Sequence, residues 1–233
     1  MEPAFIDRME WLNIPGYPGK IVSCHFTLKN YRDHDFGVMT TDLPDHLYQA
    51  ANKRKAEFLA GRWLARQALA SLGLENCFVP RNEDGIPQWP SGIMGSISHN
   101  SDTALCAVHY EQGTGGVGID IESWISPTLA SDIHHIIVSP QEKTVLLDKS
   151  TAVTFNYMLT LIFSAKESLF KALYPRVKCW IDFLDVQISD INWQKKTFSL
   201  TLLKNLAANV QAGDRFSGRF VVNEHAITTL IYY

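Results

Sequence analysis

The most informative absences from this sequence of 233 residues are paired cysteines, excess positive charge and long apolar runs. Its four cysteines, Cys24, Cys77, Cys106 and Cys179, lie far apart and form no CxxC pair, so we expect reduced thiols and no zinc site. The formal net charge of −3 provides no global basic field for nucleic acid or for an anionic membrane. Any recognition of phosphate must therefore come from local clusters of cations.

Targeting and membrane-spanning patterns are also missing. The first eight residues, MEPAFIDR, carry acids where a secretory signal needs a basic segment and then an apolar run. No window reaches the roughly 20 apolar residues that a membrane helix requires. We therefore expect a cytoplasmic, monomeric protein that binds neither membranes nor nucleic acid. The hydrophobic fraction of 46% is sufficient for a substantial core, in one large domain or in two packed halves.

Two long helices dominate the predicted secondary structure. Residues 1–20, rich in proline and glycine, predict an irregular lead-in, and Ile21–Leu28 predicts a strand. Helices are expected from about Pro44 to Leu72 and from about Val153 to Leu173, the second ending before Pro175. Their apolar stripes are Phe58, Ala65, Leu69 and Leu72 in the first helix, and Met158, Leu161, Ile162, Ala165, Leu169 and Leu173 in the second. Lys166, Glu167 and Lys171 are expected on the exposed remainder of the second helix.

Strands are expected to follow each long helix, which favours an α+β fold with two similar subdomains. The predicted strands are Thr103–Tyr110, Val117–Glu122, Phe183–Ile188, Thr197–Leu203, Arg219–Val222 and Ile227–Tyr232. A capping box, Ser139-Pro-Gln-Glu142, predicts the start of a further short helix.

Two acids stand close together in the strand Gly116–Glu122. Side chains alternate along a strand, so Asp120 and Glu122 face the same side, roughly 6–7 Å apart. Like charges on one face repel each other unless a cation lies between them, and oxygen ligands without His or Cys suit Mg²⁺. The plain alternative is a strand end with two solvated acids. The heptapeptide alone leaves both interpretations open.

Basic residues mark one face of the first long helix. Lys55, Arg62 and Arg66 recur at helical spacing, with Lys53 and Arg54 beside them. Most such faces are merely solvated, and the alternative is an anion-binding edge.

A histidine and an ion pair are equally open to two interpretations. His99, at the end of a turn-rich Gly/Ser segment, is either a structural histidine or part of a phosphate site. The spacing of Glu167 and Lys171 predicts an ordinary surface ion pair.

Three stretches together resemble the signature of the 4′-phosphopantetheinyl transferases. They are GIPQWPSGIMGSISH at 85–99, VGIDIE at 117–122 and FSAKESLFK at 163–171, and they occur in that order. A fourth, KRKAEFLAGR at 53–62, resembles the first basic motif of the branch that includes the enterobactin synthase component D enzymes. Each motif alone is weak, whereas the ordered set is specific.

The resemblance implies a Mg²⁺-dependent transfer of the 4′-phosphopantetheine arm of coenzyme A to a serine of an acyl or peptidyl carrier protein, releasing 3′,5′-ADP. Siderophore or other secondary-metabolite synthesis would use such a step. The implied fold is two α+β subdomains packed in pseudo-two-fold fashion with the active site between them. Residues 1–115 would bind the coenzyme A phosphates, and residues 116–233 would carry the metal-binding acids and the general base.

The resemblance also implies roles for individual residues. Asp120, Glu122 and Glu167 would bind the metal, Glu167 would also be the general base, and Lys171 would lie near the diphosphate, which makes Asp120, Glu167 and Lys171 the catalytic set. The residues implied in coenzyme A binding are Arg54, Arg62, Arg81, Ser98, His99, Lys166 and Lys171. Two departures from the surfactin-type pattern are Phe163 in place of Trp and Ile86 in place of Lys, and Arg81 is the candidate replacement for that lysine.

Other functions compete with this hypothesis. A metal-dependent nuclease also uses an acid–x–acid pair with a Glu and a Lys, but it needs the lysine beside the second acid, and position 124 is Trp. A binding module without activity is the second alternative, although the acids at 120, 122 and 167 argue against loss of catalysis. The segment Tyr174–Ile181 is a candidate for carrier docking, against the expectation that Trp180 and Ile181 belong to the core.

Overall fold

A computed structural model describes residues 4–111, 113, 115–149 and 154–233 of the chain. The chain divides into two compact units, Met1–Thr114 and Gly115–Tyr233. Both units combine an antiparallel sheet with helices, so the predicted α+β class is confirmed. Within the described ranges, no helix is both long and apolar enough to span a bilayer.

The first unit is a four-stranded antiparallel sheet with one long helix packed on it. The elements are β1 (Ile6–Leu12), β2 (Lys20–Phe26), α1 (Asp35–Val38), α2 (Asn52–Ala70), β3 (Ile93–His99) and β4 (Thr103–Tyr110), with short 3₁₀ helices at Leu28–Asn30 and Asp45–Leu47. The strand order is β1-β2-β4-β3, and the long helix α2 contacts β2, β3 and β4. The core of the unit combines apolar residues of α2 with Val22, Phe26 and Val108 of the sheet.

Two predictions for the first unit are wrong at their boundaries. The expected irregular lead-in contains β1, an edge strand whose side chains are mostly exposed and whose order comes from backbone pairing with β2. Helix α2 begins at Asn52 rather than near Pro44, because Pro44 is extended and starts a separate 3₁₀ turn. In the predicted stripe, Ala65 and Leu69 are fully buried, whereas Phe58 and Leu72 are partly buried.

The second unit is a five-stranded antiparallel sheet with three helices. The elements are β5 (Val117–Ser123), α3 (Pro127–Ile137), α4 (Pro140–Lys149), α5 (Phe155–Val177), β6 (Val186–Asn192), β7 (Thr197–Leu202), β8 (Arg215–Val222) and β9 (Ala226–Tyr232), with a 3₁₀ helix at Phe183–Asp185. The strand order is β5-β9-β8-β7-β6. Helix α5 packs against β5 and β9, and buried Leu161, Leu169 and Leu173 cover Phe198, Phe220 and other apolar residues of the sheet.

The helices of the second unit test several predictions. The predicted apolar stripe of α5 is confirmed, since all six of its residues are at most 3% exposed. The expected start at Val153 lies outside the described residues, and the expected stop before Pro175 is wrong. The helix continues through Pro175 to Val177 and ends at Lys178, whose left-handed backbone donates to Tyr174 O at 2.9 Å. A proline in the last turn removes only one backbone donor, and the residues after it can still adopt helical backbone angles.

Local capping explains the two short helices. The predicted capping box is confirmed: Ser139 N donates to Glu142 Oε2 at 2.8 Å, and Glu142 N donates to Ser139 Oγ at 3.2 Å. Helix α3 was not predicted, although Ser126 caps it and Pro127 occupies its first position. The predicted strand at Phe183–Ile188 begins three residues too early, because the 3₁₀ helix occupies its first three positions.

Candidate active site

Asp120 lies at the centre of the candidate site in the second unit. It is 2% exposed, and its two oxygens accept hydrogen bonds from Lys171 Nζ at 2.6 Å and from Ser164 Oγ at 2.8 Å, both on α5. The helix approaches β5 closely because position 118 is glycine: a Cβ there would overlap the carbonyl oxygen of Ser168. This close approach is the structural reason for the glycine in the motif that carries Asp120.

Glu122 and Glu167 share an electrostatic environment with Asp120. Burial, and then the charge of Asp120, raise the pKa of Glu122 to about 8, with Lys171 opposing the rise. Burial also raises the pKa of Glu167, which feels the same Asp120 and Lys171. Lys171 is not the surface partner that its spacing predicted, because it is largely buried and its ammonium bonds to Asp120 and to Ile119 O on β5.

The fit of these acids to a divalent cation can be judged from their chemistry. In the described part of the chain, no group of three or more His, Cys, Asp or Glu side chains is already arranged as a metal site. However, the charges of Asp120 and Glu167 help to raise the pKa of Glu122, and the charge of Asp120 helps to raise the pKa of Glu167, although Lys171 opposes both effects. Oxygen donors with uncompensated negative charge suit Mg²⁺ or Mn²⁺, so the donor set fits, and the metal role remains a prediction.

Lys166 occupies a different environment from the one predicted. It is 3% exposed, so its expected place on the helix surface is wrong. Its ammonium donates to Ile137 O and Phe183 O, both at 2.8 Å, and lies 3.1 Å from Glu142 Oε1. Burial lowers the pKa of Lys166 and Glu142 opposes that effect. These interior contacts suggest a structural role, and its binding of coenzyme A stays a prediction.

A groove of about 360 Å³ has Glu167 among the residues that line it. Its walls come from the end of α3, from α5 and from the segment after it, and include Ile136, Phe170, Trp180 and Leu184. The expectation that Trp180 is a core residue is wrong, since it is 72% exposed and its ring lies 5.1 Å from that of Phe170. Ile181, at 7% exposure, is in the core as expected. The groove therefore joins a carboxylate to an exposed apolar surface.

In the first unit, a pocket of about 140 Å³ brings three arginines and a histidine together from distant parts of the sequence. Arg54 and Arg62 on α2, Arg81 in the following loop and His99 at the end of β3 line it, together with the acid Glu57. Arg54 Nη1 lies 3.4 Å from His99 Nε2. Arg54 and Arg62 therefore line a pocket on this face of α2, and their binding of an anion stays a prediction.

Arg62 and Arg81 are held by their surroundings. The guanidinium of Arg62 lies 4.8 Å from the Phe58 ring centre, and its buried Nε has no hydrogen-bond partner among the described residues. Burial, with repulsion from Arg81 and Arg54, lowers the pKa of Arg62 to about 10. Arg81 donates to Gly85 O, and the positive φ of 83° at Gly85 lets the loop wrap around that side chain.

Ser98 differs from the other predicted coenzyme A residues. Its neighbours Ile97 and His99 line the pocket that contains Arg54, Arg62 and Arg81. Because side chains alternate along β3, the buried hydroxyl of Ser98 faces the opposite side of the sheet. Its predicted contact with coenzyme A is untested and has no support from this placement.

A second pocket, of about 290 Å³, shares Phe58, Arg62 and Arg81 with the first. It adds aromatic surface from His46 and Phe78, and His46 Nε2 lies 3.3 Å from Arg81 Nη1. Neither of these two residues could be predicted from the sequence, because neither belongs to a motif. Only the fold brings them beside the arginines.

Comparisons with known proteins find the same family in both units. The family described as 4′-phosphopantetheinyl transferase N-terminal domain matches residues 43–109, and the 4′-phosphopantetheinyl transferase superfamily matches residues 116–229. Enterobactin synthase component D of Escherichia coli (strain K12) is 41% identical over 150 residues, covering 64% of this chain and 68% of that protein. The 4′-phosphopantetheinyl transferase Svp of Streptomyces mobaraensis is 31% identical over 189 residues, or 80% of this chain and 75% of that protein.

Enterobactin synthase component D of Salmonella typhimurium is 39% identical over 153 residues, or 65% of this chain. The match spans only 61% of the length of that relative.

Proposed function

The chain belongs to the 4′-phosphopantetheinyl transferase superfamily, and from this premise we propose that it moves the 4′-phosphopantetheine arm of coenzyme A onto a carrier protein. The acceptor is a serine hydroxyl of an acyl or peptidyl carrier protein, and 3′,5′-ADP is released. Synthesis of a siderophore or another secondary metabolite would use the product. The observation that carries the proposal is the convergence of Arg54, Arg62, Arg81 and His99 on one pocket.

The first unit would hold the nucleotide end of coenzyme A. Phosphate oxygens match the guanidinium donors of Arg54, Arg62 and Arg81, and an anion would satisfy the unpartnered Nε of Arg62. The neighbouring pocket, with Phe58 and Phe78 in its walls, has the aromatic surface on which a base can stack. These two adjoining pockets support the placement of a nucleotide that carries phosphates.

The second unit would carry the reacting groups. Glu167 would accept the proton of the carrier serine, and its raised pKa brings its basicity closer to neutral pH. Lys171 would add positive charge where the leaving phosphate becomes more negative. Asp120, Glu122 and Glu167 would hold Mg²⁺, which when bound supplies Lewis-acid stabilisation of the diphosphate oxygens. Such positioning and charge neutralisation account for most catalysis of phosphoryl-type transfer.

The groove beside Glu167 suits the pantetheine arm and the approach of the carrier. Its wall residues Phe170 and Trp180 offer apolar surface for an arm that is largely uncharged. The exposed Trp180 follows Arg176 and Lys178 along the chain, and these two cations would attract an acidic carrier. We therefore assign carrier docking to the segment 174–181.

Mass spectrometry of a carrier protein incubated with the chain, coenzyme A and Mg²⁺ tests the proposal directly. We expect the carrier to gain the mass of one phosphopantetheine arm. Asp120→Asn, which keeps the size of this buried side chain, should abolish the gain without loss of folding, and Glu167→Gln should do the same. Asp190→Asn, on an exposed position of β6, is the matched control and should leave the gain unchanged.

The alternatives predict other results. No mass gain across a panel of carriers, with coenzyme A binding retained in calorimetry, would indicate a binding module. Cleavage of a nucleic acid in the presence of Mg²⁺, lost in Asp120→Asn, would indicate a nuclease. A normal rate for Asp120→Asn at saturating Mg²⁺ would contradict the metal assignment.

A further inference from the structure

A buried chain of hydroxyl groups ends on Asp120. Ser164 and Ser168 lie one turn apart on α5, and Thr229 lies on β9, where it pairs directly with Asp120 across the two strands. All three hydroxyl residues are 0% exposed. Ser168 Oγ is 2.6 Å from Thr229 Oγ1, Thr229 Oγ1 is 2.9 Å from Ser164 Oγ, and Ser164 Oγ is 2.8 Å from Asp120 Oδ2.

One bond of this chain has a fixed direction. An ionised carboxylate only accepts, so the hydroxyl proton of Ser164 points to Asp120 Oδ2. Thr229 Oγ1 has a single proton, and both the carbonyl oxygen of Ser164 at 2.8 Å and its hydroxyl oxygen at 2.9 Å lie within reach of it. Ser168 Oγ likewise reaches Thr229 Oγ1 at 2.6 Å and Thr229 O at 3.1 Å. Thr229 therefore contacts Ser164, and Ser168 contacts Thr229, whichever acceptor each proton takes.

These hydroxyls are not needed for packing. The buried neighbours on the same elements are apolar, among them Ala165 and Leu169 on α5 and Ile227 and Ile231 on β9. Alanine or valine would fill such positions without the cost of burying polar groups. Three adjacent hydroxyls at this one place, one of which donates to an acid of the site, therefore point to a role for that acid.

We propose that Ser164 is a positioning residue for Asp120, with Thr229 and Ser168 supporting it. The hydroxyl holds Asp120 Oδ2 toward the sheet and helix, so that the side chain presents a single orientation to a divalent cation. This inference rests on the proposed metal role of Asp120. Partners of metal ligands that fix their orientation usually change metal affinity when they are replaced.

Binding of Mn²⁺, measured by the electron paramagnetic resonance signal of the free ion with coenzyme A present, tests the inference without an activity readout. Ser164→Ala should weaken Mn²⁺ binding about 10–100-fold. Ser168→Ala is the matched control, because it makes the same change on the same helix at equal burial without touching Asp120, and it should have the smallest effect. Thr229→Val keeps the Ser164 contact and should fall between them. Asp120→Asn is the reference for loss of a ligand, and thermal unfolding verifies that each variant is folded.

The outcomes separate the inference from the proposed function. If Asp120→Asn loses binding while Ser164→Ala binds Mn²⁺ like the wild type, the positioning role is overturned and the metal role stands. Equal weakening by Ser164→Ala and Ser168→Ala would also overturn it, because a general loss of packing explains that result. If Asp120→Asn binds like the wild type, the metal role itself fails, and the inference fails with it. If Ser164→Ala does not fold, Thr229→Val decides: wild-type Mn²⁺ affinity in that variant overturns the proposed support.

Discussion

Replacement of Lys166 by methionine should destabilise the second unit strongly, whether or not Lys166 binds coenzyme A. The ammonium is bound to Glu142 and to the carbonyl oxygens of Ile137 and Phe183, which belong to different segments around α5. Methionine fills a similar volume but leaves the Glu142 carboxylate, itself only 2% exposed, without its cation. Among the described residues, Glu142 would retain the backbone donors Ser139 N and Ile188 N, each at 2.8 Å.

The expected loss follows from the burial of the pair. Removing one partner of a buried ion pair costs about 3–5 kcal/mol of unfolding free energy, because the other charge stays buried and uncompensated. At about 2–4 °C per kcal/mol for a chain of this size, the melting temperature should fall by about 6–20 °C. The control is Lys204→Met, which breaks an exposed pair with Asp185 at 3.2 Å and should cost no more than about 1 kcal/mol. Adding Glu142→Gln to Lys166→Met removes the orphaned charge and should recover part of the loss.

Urea unfolding of the wild type and the three variants, together with coenzyme A kinetics, decides the role of Lys166. A structural role predicts a large loss of stability in Lys166→Met and a clear recovery in the double variant. A role in binding coenzyme A predicts a raised KM with nearly normal unfolding. If Lys166→Met is as stable as the Lys204→Met control, the reasoning from burial is refuted.

Three further predictions concern other parts of the chain. Arg62→Ala should raise the KM for coenzyme A more than it lowers kcat, since its proposed contact is with a non-reacting phosphate, and an equal loss in kcat and kcat/KM in steady-state kinetics would contradict this. Burial lowers the pKa of His109, so as the pH falls below about 6.5 the unfolded chain takes up a proton first and stability drops. His109→Gln should remove that part of the loss of unfolding free energy between about pH 7.5 and 5.5, as measured by urea unfolding. A variant that loses as much stability as the wild type over this pH range would argue against it. The double variant Arg176→Glu/Lys178→Glu should raise the KM for the carrier at low salt and leave the KM for coenzyme A unchanged. Two KM values equal to those of the wild type would contradict the assignment of carrier docking to this segment.

Much of the site could be predicted from the sequence because its signals are local. The alternation of Val117–Glu122 identified a strand with two acids, and the capping box Ser139–Glu142 and the stripe of α5 depend on spacing within one element. Ordered motifs then indicated the family without any knowledge of contacts. Such features can be recognised in the sequence because their physical cause lies within a few residues.

Other features depended on which side chains the tertiary structure brings together. Strand β1 shows no clear apolar pattern, since its order comes from hydrogen bonds to β2, and Lys166 looks like an ordinary exposed lysine until α3 and Glu142 enclose it. Trp180 is a large apolar residue of the kind usually found in a core, yet it is exposed and lines a groove.

Asp120 shows both what the sequence determines and what depends on the tertiary structure. Sequence determined that an acid stands on this strand, because a glycine and an apolar alternation surround it. Only tertiary structure decided that Lys171 and Ser164 of α5 would bind its two oxygens. These contacts join residues more than 40 positions apart, and burial, which determines their strength, is a property of the packed unit and not of the linear chain.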